Sequence, residues 1–198
     1  DLRHITPDDV YLLRELTEKK KVEFNIEGNP YSESNKYYPG FQEIIRITKP
    51  DQCTLVPDSL EQITSDHGWD FINRDNSEDA DLVNHLKENS DRVSFFVDPI
   101  AEQLEGAREA GTDRIEFYTG PYAEDPGLNS IDPFIRGYHL ARNLELGVNA
   151  GHDLDLDNLA FFLENVPADE VSIGHALISD SLVMGIEKTV KQYLDLCN

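Results

Sequence analysis

Apolar positions fall into two alternating rhythms along this chain. Short runs dense in Val, Ile, Phe and Leu, at 22–27, 52–56, 92–97, 114–118, 147–150 and 170–173, read as strands. Between them apolar residues recur three or four apart, the spacing of one helix face. These stretches predict helices over 41–48, 78–89, 100–110, 131–144, 156–164 and 177–196. A further helix opens the chain. Thr6-Pro7-Asp8-Asp9 supplies a capping side chain, a first-turn proline and acids for the positive helix end. Val10, Leu12, Leu13 and Leu16 follow at helical spacing, and Lys19-Lys20-Lys21 suit the close. Residues 31–40 and 66–77 are polar and predict loops, the second holding the only tryptophan, Trp69. Thr119-Gly120-Pro121 reads as a sharp turn.

Six strands, each followed by a helix, predict a parallel sheet covered by helices. Two architectures meet that description. An open doubly wound sheet carries a Gly-rich phosphate turn near its start, and no GxGxxG occurs here. A (β/α)8 TIM barrel places polar residues at the C-terminal ends of its strands. Glu27, Asp98, Glu116 with Thr119, His152 and His175 all stand at or near such ends. The expected fold is therefore a (β/α)8 barrel with extra helices, one domain over residues 1–198. Such a barrel has eight strands, so the first two are expected to precede Asp1.

Composition narrows the function. The chain has 198 residues, 39% hydrophobic and 28% charged, enough for a sizeable globular core. A net charge of −22 argues against a nucleic-acid partner, because phosphate backbones are repelled. It leaves room for a phosphorylated small molecule, which a local nest of backbone N–H groups can hold. No run is long enough to span a membrane. The two cysteines, Cys53 and Cys197, form neither a disulfide framework nor a metal motif. A cytoplasmic location is the expectation, with Cys53 in the core rather than acting as a nucleophile.

Candidate chemistry gathers around a repeated ending. Val148-Asn149-Ala150-Gly151-His152 and Val171-Ser172-Ile173-Gly174-His175 each run strand, Gly, His, then helix. Glycine brings backbone N–H groups close to a ligand, and a helix start favours an anion there. The imidazole adds a group that titrates near neutral pH. Asp153 and Asp155 could orient the His152 ring or cap the next helix. Glu27 ends the first strand and is either a general base or a solvated acid. Glu116 falls inside a strand, where it pairs with a structural Arg or meets a positively charged substrate or intermediate. Thr64, in the loop after residues 52–56, binds a ligand or caps a turn. Arg3-His4 is either a phosphate-facing pair or a surface feature. His67 lies in a loop, and His85 and His139 lie on helices as surface or structural residues.

These residues carry a family resemblance. Arg3-His4-Ile5-Thr6, Asn25-Ile26-Glu27, Leu55-Val56-Pro57, Thr64 and Ser94-Phe95-Phe96-Val97-Asp98 run in order. Ile115-Glu116, Thr119-Gly120, Val148-Asn149-Ala150-Gly151-His152 and Ile173-Gly174-His175-Ala176 continue it. Together they resemble the pyridoxine 5'-phosphate synthase family. That resemblance implies a transferase joining 1-deoxy-D-xylulose 5-phosphate to 3-amino-2-oxopropyl phosphate. Its products are pyridoxine 5'-phosphate, phosphate and water. It implies no metal or organic cofactor and a homo-oligomer, with an octamer as the candidate state. Glu27 then looks like a catalytic acid/base, His152 like a proton donor and Glu116 like a stabiliser of a cationic intermediate. Gly174 and His175 look like phosphate ligands, and His4, Thr64 and Asp153 like further substrate contacts. The chain departs from the family pattern at Asp153, where glycine is usual, and over 68–77. The family's opening strand, with an Asn-x-Asp-His motif, and its second strand have no counterpart here. The competing readings are another phosphate-binding isomerase or lyase, and a non-catalytic phospholigand-binding relative. A Schiff-base aldolase would need a strand-borne Lys, and the expected strands have none.

Overall fold

A computed structural model describes residues 4–59 and 62–197. Arg3, half of the cationic pair expected at the start, lies outside the described residues. The first helix, α1 (Pro7–Lys20), begins as its sequence dictates. Thr6 Oγ1 accepts from the Asp9 N–H, and the Asp9 carboxylate accepts in return from the Thr6 N–H.

Six strands follow: β1 (Asn25–Gly28), β2 (Gln52–Leu55), β3 (Arg92–Val97), β4 (Arg114–Tyr118), β5 (Gly147–Gly151) and β6 (Glu170–Ser172). All pair in parallel, in the unbroken order β1-β2-β3-β4-β5-β6. A doubly wound sheet reverses direction at a switch point. This one never does, which removes that alternative. The result is a curled parallel sheet, its outer side covered by α2 (Phe41–Thr48), α3 (Asp79–Lys87), α4 (Ala101–Glu109), α6 (Leu128–Asn143) and α7 (Leu159–Asn165).

Strand alternation sorts the two faces. Cys53, Leu55, Val93, Phe95, Val97, Ile115, Phe117, Val148 and Ala150 point towards the helices and form the main core. Burial pushes the Cys53 thiol up to about 11, as expected of a core cysteine rather than a nucleophile. The residues between them line the opposite, concave face. At its N-terminal side Arg92 Nη2 bridges Glu23 (2.7 Å) and Glu170 (3.3 Å), and Arg114 Nη1 reaches Glu170 (3.1 Å) and Asn149 (2.9 Å). Gly147 makes room there, since a Cβ would lie 2.6 Å from Arg114 Cγ.

Three expectations need correction. The strand expected over 22–27 is shorter and shifted, because Asp51 Oδ2 takes the Phe24 N–H instead of a neighbouring strand. The turn at Thr119-Gly120-Pro121 opens a short helix, α5 (Gly120–Glu124), on which Pro121 is an acceptable early residue. The single closing helix expected over 177–196 is two helices, α8 (His175–Met184) and α9 (Ile186–Leu196). Gly185 breaks it at φ 85°, a left-handed backbone that glycine adopts without strain. Among the described residues no helix is long and apolar enough to cross a membrane, and no cluster of ligating side chains could hold a metal.

Candidate active site

The C-terminal ends of the strands open onto the concave face, and the expected residues other than His4 gather at that end. Glu116, on β4, is 1% exposed. Its carboxylate sits over Gly151, whose hydrogen leaves room where a Cβ would collide with Oε1. Its Oε2 has no hydrogen-bond partner among the described residues, and no described arginine reaches it. The arginines of this face are committed to Glu23, Glu170 and Asn149 instead. Of the two readings open for Glu116, the structural ion pair is therefore absent among the described residues.

Burial, then the negative charge of Glu27, raises the Glu116 carboxyl to about 8, while a Ser172 hydrogen bond pulls the other way. Enclosure among protein atoms, then the charge of Asp58, raises Glu27 to about 7. Glu27 lies on the edge strand and keeps surface open to the concave face, so water screens part of that effect. The charge of Glu27 disfavours ionisation of Glu116 across this face. Acids of this kind can give as well as take protons near pH 7.

His152 ends β5 at a sharp left-handed turn, with φ 91°. Both ring nitrogens are engaged: Nδ1 with Asp153 Oδ2 at 2.8 Å and Nε2 with Thr64 Oγ1 at 2.9 Å. The ring stands edge-on to Tyr118, centroids 5.0 Å apart, with Phe96 beyond. Asp153 Oδ1 also lies 3.4 Å from His175 Nε2. The two Gly-His endings are thus joined through one carboxylate.

Thr64 arrives from a long loop whose far end is fixed. Trp69 is buried, its backbone N–H bonded to the Phe96 carbonyl and its indole N–H to Asp79. Arg74 lies over the indole at 4.4 Å. Gly68 crosses β3 so closely that a Cβ would sit 2.5 Å from Val97 Cα, and its N–H is held by Asp98. Asp98 thus ties down the loop.

Gly174 caps α8 without a side chain, and a Cβ there would meet nothing within 4 Å. The Leu177 N–H bonds the Gly174 carbonyl, and the N–H groups of His175 and Ala176 before it are the ones a helix start leaves for an anion. His4 is exposed, and no hydrogen bond or ion pair with a described residue ties it to this cluster. His67 pairs with Asp66, while His85 and His139 are exposed on helices away from the site.

Three residues of the site escaped the sequence reading. Asp58 acts on Glu27 from the end of β2, a strand-end position like the others. Ser172 lies opposite Gly151 in register and bonds Glu116. Tyr118 walls His152 and is two residues beyond Glu116, hence on its face. The alternation of the strand was the available signal for Tyr118 and Ser172.

Across its length, residues 1–198, the chain matches the family model described as pyridoxal phosphate biosynthesis protein PdxJ. It is 47% identical to pyridoxine 5'-phosphate synthase of Xanthomonas oryzae pv. oryzae, covering 99% of this chain and 78% of that one. With the protein of the same name from Xylella fastidiosa it shares 49% identity, over 99% and 77%. Among solved structures it is similar to a mutant tryptophan synthase alpha-subunit from Pyrococcus furiosus, with a TM-score of 0.63 and 14% identity. That likeness covers 94% of this chain and 71% of the other, and concerns the fold alone.

Proposed function

The chain belongs to the PdxJ family of pyridoxal phosphate biosynthesis proteins and is an enzyme of the pyridoxine 5'-phosphate synthase kind, and we propose that the concave face carries its ring-forming chemistry. The substrates on this reading are 1-deoxy-D-xylulose 5-phosphate and 3-amino-2-oxopropyl phosphate. One observation supports it above the rest. Glu27 and the buried Glu116 share a face with the His152 imidazole and the start of α8.

Closing an aromatic ring from these substrates demands repeated proton removal and return, together with loss of water and phosphate. Glu27 is the acid/base for those transfers. Glu116 meets the amine-derived cation: a positive charge beside a buried carboxyl that no described cation pairs draws its pKa back down and is itself stabilised. His152 gives a proton to a departing group. Gly174 and His175 hold phosphate at the start of α8, with Thr64 and His4 as further contacts to the substrates, while Asp153 stands against both imidazoles.

The unbroken order of a curled parallel sheet supports the finer fold reading, a (β/α)8 barrel in which two further strands join β1 to β6. The two free cysteines support a reducing, cytoplasmic setting. Leu182 and Val183, 86% and 87% exposed on α8, support self-association into a homo-oligomer.

The direct test mixes the protein with both substrates and follows pyridoxine 5'-phosphate by mass and fluorescence. Product formation is expected. A folded protein that binds phosphate ligands but forms no product would favour another barrel chemistry, or an inactive relative. A narrower test concerns the phosphate site. Gly174→Val has room for its side chain, so the melting temperature should hold. Binding of a phosphorylated substrate should weaken about tenfold, roughly 1.4 kcal/mol, by loss of backbone approach. Unchanged affinity in a titration would remove phosphate from that turn.

A further inference from the structure

Two successive residues at the end of β5 hold left-handed backbone without being glycine: His152 at φ 91° and Asp153 at φ 58°. Such backbone is unfavourable for a residue with a Cβ and persists only where its surroundings over-determine it. Here three carbonyls in a row are gripped. Thr119 Oγ1 donates to the carbonyls of Gly151 (2.7 Å) and His152, and Asn158 Nδ2 donates to that of Asp153 (3.0 Å). Asn158 is itself pinned, its carbonyl accepting from the Tyr122 hydroxyl at 2.7 Å.

The strained turn has a specific geometric product. It folds the Asp153 carboxylate back onto the imidazole of the residue before it, Oδ2 to Nδ1 at 2.8 Å. The other carboxylate oxygen faces His175 Nε2 at 3.4 Å. Both oxygens are thus turned towards imidazoles. A carboxylate is also a poor direct partner for a phosphate, since like charges repel.

We propose that Asp153 is a positioning residue for His152, fixing the proton on Nδ1 so that Nε2 is the nitrogen that exchanges protons with substrate. An ionised carboxylate can only accept, so the Nδ1 it contacts must donate. In the neutral ring Nε2 is then an acceptor, and the Thr64 hydroxyl, 2.9 Å away, donates to it until substrate arrives. In the protonated ring Nε2 is the donor, as a general acid requires, and the carboxylate steadies the charge. His175, at the start of α8, shares the same carboxylate. A ligand engaging His175 therefore bears on the aim of His152.

This inference rests on the reading of His152 as a proton donor, and its test separates the two. Asp153→Gly relieves the left-handed backbone, so the fold is expected to hold. Nitrogen NMR of the His152 side chain should show the Nδ1–H tautomer in the native protein and the Nε2–H tautomer in Asp153→Gly. In the same variant kcat should fall roughly 10- to 100-fold, with KM for either substrate within about threefold. Asp153→Asn, whose amide oxygen still accepts from Nδ1, should keep the native tautomer and recover part of the rate. An Nε2–H tautomer in the native protein would overturn the proposal. So would Asp153→Gly with tautomer and kcat unchanged, or with its loss confined to KM. A tautomer that switches in a protein making no pyridoxine 5'-phosphate would uphold the positioning role and overturn the assigned reaction.

Discussion

Replacing His152 with Asn is expected to lower kcat about a thousandfold, roughly 4 kcal/mol of barrier, while KM for both substrates stays within about threefold. Asparagine tolerates left-handed backbone, so the turn at φ 91° should survive the change. Its amide can still bond Thr64 or Asp153 but cannot deliver a proton near pH 7. The loss therefore falls on the chemical step. The measurement is steady-state kinetics on both substrates, with circular dichroism to verify the fold. Equal losses in kcat and in substrate affinity would place His152 in binding rather than proton donation.

The second large effect belongs to Glu116 and is a matter of stability as well as rate. Its carboxyl is raised from 4.5 to about 8 in the folded protein, chiefly by burial and then by Glu27. A raised acid retains its proton in the folded state after the unfolded chain has released it. Below about pH 4.5 both states are protonated and burial of the group adds no penalty. As pH climbs towards 8 the unfolded state gains from ionising and the folded state does not, so stability is lost across that window. Glu116→Gln removes the titration. Relative to the native protein, the variant should gain stability between pH 5 and 8.5 by on the order of 3 kcal/mol, roughly 5–10 °C in melting temperature. Its turnover should fall as well, because the amide cannot take up the charge that a cationic intermediate demands. Thermal melts of both proteins across that range decide the matter. Parallel curves would mean that Glu116 ionises in the folded state as freely as it does in the unfolded one.

Much of this architecture could be read from the chain because the physics was local. The Thr6-to-Asp9 capping box, Phe41–Thr48, Arg92–Val97 and Arg114–Tyr118 are set by neighbours in sequence, and the structure has them where the pattern puts them. What escaped was decided at a distance. Phe24 leaves the first strand because Asp51, 27 residues on, takes its N–H. The long loop gains its anchor only when Trp69 meets Phe95, Asp79 and Arg74. Gly185 broke a helix whose apolar spacing runs through it, and one glycine inside such a pattern is usually tolerated at a cost, so the spacing alone did not mark the break. The site divides in the same way. Strand alternation brought Glu116 onto the concave face, and the Gly-His endings announced His152 and His175. Nothing in the spacing foretold that Asp153 would stand between the two imidazoles, because that needs two consecutive left-handed residues.

The alternation of the strands has a consequence for descent. In residues 92–97 and 114–118, odd-numbered positions from 93 to 97 and 115 to 117 hold the core, and the even-numbered ones between them face the reaction. Fold and chemistry are written on the same few residues yet never on the same residue. A lineage can therefore drift in one set while selection holds the other. A parallel sheet of this kind can acquire a new substrate without passing through an unfolded ancestor.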